Sequence, residues 1–107
     1  MAIQDTDRAV RVFAGILLGK TAVSIAEKEG VSSPRVAQIF ARVVRDGFRF
    51  MFESEMISRD LLMQCYSPND FRKLSVKDRK QIEMGMRLFF AEKCEVEQSK
   101  IDAAFVL

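Results

Sequence analysis

Apolar residues recur at helical spacing from the start of the chain. Ala9, Val10, Phe13, Ile16 and Leu17 share one face of a helix that Asp5 or Thr6 can cap, with Asp7 in its first turn and Gly19 closing it. Thr21 opens a predicted second helix, Ala22 to Glu29, which buries Ile25 and Ala26. Gly30 ends it, because glycine adopts left-handed backbone without a Cβ penalty. Ser32 caps a third helix, and Pro34 falls in its first turn, where a missing amide removes no helical bond. That helix is predicted to reach about Asp46 and to stop at Gly47.

Beyond Gly47 the pattern is denser. Phe48, Phe50, Met51 and Phe52 crowd together, followed by an amphipathic stretch with Met56, Ile57, Leu61, Leu62 and Cys65. Ser67-Pro68-Asn69-Asp70 breaks it and starts a new helix. Ser75 with Asp78 resembles a capping box, and the helix it opens buries Ile82, Met86, Phe89 and Phe90. From Lys100 the chain forms either a last short helix or a tail ending in Phe105-Val106-Leu107. No segment alternates as a strand does. The pattern predicts an all-α, compact bundle of five or six helices, one domain over residues 1–107. It contains a helix-turn-helix at about 21–46 and a C-terminal helical part at about 48–107, a candidate dimerisation region.

The segment from Gly19 to Arg49 meets the demands of a helix-turn-helix in order. Ala26 is small where a second helix would cross, Gly30 suits the turn, and Val31 is an apolar plug for the corner. Val36, Ile39 and Val43 face inward at the required spacing, and Ser32 and Ser33 put short polar residues at the tip. Glu29 departs from the pattern, since its position beside the turn is often apolar in such motifs.

These residues carry a resemblance. Thr21 to Ser32, with Arg35-Val36-Ala37-Gln38-Ile39, resembles the promoter-reading helix-turn-helix in the C-terminal region of bacterial sigma factors, over about a quarter of the chain. In that family the residues after the turn are charged and touch promoter DNA. Here the matching positions hold Ser33, Pro34 and Ala37, and Gln38 is the matching contact residue that is kept. The resemblance therefore implies the module and its orientation on DNA, and not the promoter.

The polar face of the third helix adds an independent argument. At about 100° per residue, Arg35, Gln38, Arg42, Arg45 and Arg49 fall within an arc of roughly 80° if the helix continues past Gly47. Arginine suits both phosphate and guanine, because its planar fork donates two hydrogen bonds at once. A solvated helix face is the other reading. The scarcity of acidic partners weighs against it, since Asp46 is the lone carboxylate between Val31 and Arg49. Ser32, Ser33, Arg35, Gln38, Arg42, Arg45 and Arg49 are thus the candidate DNA-binding residues. Arg72, Lys73, Lys77, Arg79 and Lys80 form a second cluster, readable as phosphate contacts or as solvated charge.

Composition changes this picture little. A chain of 107 residues with 49% hydrophobic and 30% charged residues is an ordinary globule, and a net charge of +2 argues for no partner by itself. Nine phenylalanines exceed what one small core readily hides, which predicts an exposed remainder and a homodimer interface. Cys65 and Cys94 form no CxxC pair and no His is present, so they read as reduced thiols, with no metal or cofactor expected. Without His, a phosphate loop or a nucleophile with a base, catalysis is not expected. The N-terminus lacks an export signal, and the longest apolar run is far short of the roughly 20 residues that span a membrane. The expectation is a cytoplasmic, sequence-specific regulator that binds double-stranded DNA, with no membrane association. The alternative is a small interaction module, of phage or bacterial origin, that binds RNA polymerase or another regulator.

Overall fold

A computed structural model describes residues 5–65 and 67–106. The chain is all-helical, with the order α1 (Thr6–Leu17), α2 (Ala22–Glu29), α3 (Ser33–Glu53), α4 (Arg59–Met63), α5 (Pro68–Arg72), α6 (Val76–Glu92) and α7 (Gln98–Ala104). These seven helices among the described residues exceed the five or six expected. The stretch after α3 yields a separate short helix, α4, and the last segment is helical rather than a tail. Leu107, the end of the expected tail, lies outside the described residues.

Local hydrogen bonding sets most helix starts. Asp5, Thr21, Ser32, Ser58 and Ser75 each accept a bond from a backbone amide three residues on. Each such cap satisfies a donor that the first turn leaves open. At α5 the Ser67 amide donates to Asp70 Oδ2 at 2.7 Å, one half of a capping box.

Gly47 does not stop α3. The helix passes through it because the glycine sits where α6 crosses: a Cβ there would collide with the end of Met86 and lie 3.3 Å from Phe89 Cδ2. The contact is reciprocal, since a Cβ on Gly85 of α6 would meet Met51, with its Cγ at 2.7 Å. Two glycines and two methionines thus interlock the helices, and each thioether fills the space left by the opposing missing side chain. The actual stop is at Glu55, in the left-handed region at φ 57, where the Met56 amide donates to the Met51 carbonyl at 2.8 Å.

The core is one connected cluster drawing on α1 through α7. Phe13 lies at its centre, stacked on Phe40 and edge-on to Phe71 and Phe90, with ring centroids 5.9 to 6.1 Å away. Phe71 also meets Phe40 at 5.4 Å and Phe48 at 6.1 Å. Such pairs add about 0.5–1.5 kcal/mol each beyond area burial. The expected exposed remainder of phenylalanine is therefore reduced to a single ring. Phe50 is half-buried against Phe89, and Phe52 is the one phenylalanine in the exposed class, at 48%. Cys65 and Cys94 are free thiols, and burial pushes both up to about 11. Among the described residues no helix is long and apolar enough to cross a membrane.

Candidate nucleic-acid interface

The site begins at the corner between α2 and α3. Gly30 lies at φ 70, in the region that only glycine enters readily, and the Val31 amide reaches back to the Ala26 carbonyl at 3.1 Å. Val31 is half-buried and packs against the core, as an apolar corner plug must. The Ser32 hydroxyl accepts from the Arg35 amide at 3.2 Å. Pro34 has no amide to offer, so the Ser33 amide is the first-turn donor left without a side-chain cap. Ser32 is exposed and Ser33 half-buried.

Glu29 departs from the motif for a structural reason. Its carboxylate is turned inward, 7% exposed, and Arg11 of α1 grips it with Nε at 2.8 Å and Nη2 at 2.9 Å. Arg8 Nε adds a longer contact at 3.4 Å. Hydrogen bonding from Arg11 holds the Glu29 carboxyl below its ordinary range, against the opposing effect of burial, and raises Arg11 in turn. An apolar residue there would bind α2 to α1 through packing, whereas this chain uses a two-pronged ion pair. Arg8 and Arg11 carried no sequence signal of this role beyond the anomaly at Glu29 itself.

Because α3 is unbroken, the predicted stripe is a single rigid surface. Arg35 and Arg49 lie about 21 Å apart along the helix at the usual rise. Arg35, Gln38, Arg45 and Arg49 are exposed. Arg45 Nε contacts its neighbour Asp46 at 3.2 Å. No ion pair joins Arg35 or Arg49 to an acidic group among the described residues. Arg42 differs from its expected role as an outward contact. It is half-buried, and its Nε and Nη2 are shielded without a hydrogen-bond partner among the described residues.

The second basic cluster is less uniform. Arg72 and Lys73 end α5, while Lys77, Arg79 and Lys80 lie in the first turns of α6. Arg79 Nη2 donates to the Phe71 carbonyl at 3.3 Å, so this residue ties α6 to α5 instead of standing free for phosphate. Arg72, Lys73, Lys77 and Lys80 are exposed.

No protein-family model, curated protein or solved structure matches the chain.

Proposed function

We propose that this chain is a cytoplasmic, sequence-specific transcriptional regulator that uses α2 and α3 as a helix-turn-helix on double-stranded DNA, acting as a homodimer. One observation carries the reading: α3 presents Arg35, Gln38, Arg45 and Arg49 on one exposed face of a continuous helix, starting from a tight capped turn. In this reading Arg45 and Arg49 neutralise phosphates, while Gln38, one turn into the helix, pairs its amide with an adenine edge. The Ser33 amide adds a phosphate contact at the helix start.

The short tip formed by Ser33, Pro34 and Ala37 favours a second reading. A module with few side chains able to reach bases could instead hold RNA polymerase or another regulator through the same face.

Selection of bound duplexes from a random pool tests both readings. The DNA reading expects an enriched motif, and Gln38→Ala should weaken the best site by about 1–3 kcal/mol with little change against scrambled DNA. If no motif is enriched and the chain co-purifies with polymerase, the interaction reading holds. Sedimentation at micromolar concentration tests the homodimer, and a monomer there would restrict the chain to single half-sites.

A further inference from the structure

A cleft of about 610 Å³ opens between α1, α2 and α7, away from the arginine face of α3. That volume is within the range of roughly 300–1,000 Å³ typical of small-molecule sites. Its floor is apolar: Ile25 Cδ1 lies 2.9 Å from where a Gly15 Cβ would be, and Ala103 and Ala104 of α7 line the opposite side. The absence of a side chain at Gly15 thus lets Ile25 pack directly against α1 and form this wall of the cleft. The stem of exposed Lys20 also approaches Gly15, its Cδ at 3.8 Å from the same point, so its methylenes extend the apolar wall.

The charges around the cleft are unbalanced. Arg11, Lys20, Lys28 and Lys100 line it, against the carboxylates Asp7 and Glu29. Both carboxylates are already engaged, Glu29 by Arg11 at 2.8 Å and Asp7 by Lys100 at 2.9 Å. Lys20 and Lys28 have no ion-pair partner among the described residues. An apolar floor beneath two unpaired ammonium groups suits a molecule with an acidic head and an apolar body.

We infer that this cleft binds a small anionic amphiphile, its acid group held by Lys20 and Lys28 and its apolar body lying over Gly15, Ile25 and Ala103. The site does not depend on the DNA reading, since it uses α1, α7 and the side of α2 facing them.

Isothermal titration of the full chain with octanoate tests this, with octanamide as the neutral control. Saturable binding of one octanoate per chain is expected, with octanamide weaker by about tenfold. The exposed pair Lys20→Glu and Lys28→Glu together should weaken octanoate by at least about tenfold, with an unchanged circular dichroism spectrum. Ala103→Trp, which fills the cleft from an exposed position, should also abolish binding. The proposal is overturned if octanoate shows no saturable binding, if octanamide binds equally well, or if neither the charge reversals nor Ala103→Trp alters the affinity.

Discussion

The two ends of α3 are held in different ways. At the α2–α3 corner the start of the helix is set by local devices, the left-handed Gly30 and the Ser32 cap, while Arg11 of α1 holds α2 through Glu29, and the outer face of α3 is polar. At the α3–α6 crossing it is held by interlocked apolar groups, Gly47 with Met86 and Gly85 with Met51, all of them buried. At both ends the outer face presents charge to solvent, with Arg45 and Arg49 beside the crossing, while the inner face anchors the rod that carries it. This explains how an arginine-rich face can be rigid with Arg35 and Arg49 outside any ion pair among the described residues: the stiffness comes from the apolar contacts of the opposite face. The cluster around α5 and α6 lacks this division, since it spans two helices and uses Arg79 internally.

The largest expected effect lies at the crossing. Met86→Ala should lower stability by about 2–5 kcal/mol in urea denaturation, because it empties a fully buried contact. Adding Gly47→Ala to Met86→Ala should restore part of the loss, as a methyl group enters the vacated space. If Met86→Ala leaves the midpoint where it was, the anchor of α3 is elsewhere.

At the corner, Gly30→Val should destabilise by about 1–3 kcal/mol, since a β-branched residue is strained at φ 70. An unchanged melting temperature would show that the turn tolerates a side chain and does not depend on left-handed backbone.

Glu29→Gln should remove about 1–2 kcal/mol at neutral pH by weakening the grip of Arg11. Because folding lowers the Glu29 pKa from its ordinary 4.5, its contribution is complete above that value. It disappears as pH falls through the lower folded value. The gap between parent and variant should therefore close on acidification, and a gap independent of pH would assign the loss to packing.

The smallest stability effect belongs to the exposed face. Arg45→Ala and Arg49→Ala should each stay within about 0.5 kcal/mol of the parent. Each should nonetheless reduce the salt dependence of duplex binding by about one unit. Lys77→Ala and Lys80→Ala should leave that slope unchanged. Equal losses from the two clusters would mean that DNA contacts the α5–α6 side as well.

Much of the corner was legible in the residue order. Thr21, Gly30, Ser32 and the Val36-Ile39-Val43 spacing mark helix limits and an inward face, because caps, turns and helical periodicity act over three or four residues. The arginine stripe followed from the same periodicity. What could not be read there depended on distant partners. Glycine is an ordinary stop signal, yet Gly47 lies inside a helix because Met86, far along the chain, occupies the space of its missing side chain. The true stops after α3 and α6 fall at Glu55 and Glu95, left-handed residues with no glycine to announce them. Composition predicted exposed phenylalanine, and Phe52 alone is exposed, because Phe40, Phe71 and Phe90 nest around Phe13 once α1, α3, α5 and α6 converge.

The sequence by itself thus determined the helical class, most helix starts and the polar face of α3, since each is a matter of spacing within one or two turns. Only the tertiary structure decided that α3 runs unbroken through Gly47, that Glu29 turns inward to Arg11, that Arg42 and Arg79 are partly withdrawn, and that α7 closes a cleft against α1 and α2. Each of these depends on which surfaces meet, and that choice is made by burying one shared apolar core rather than by any local preference.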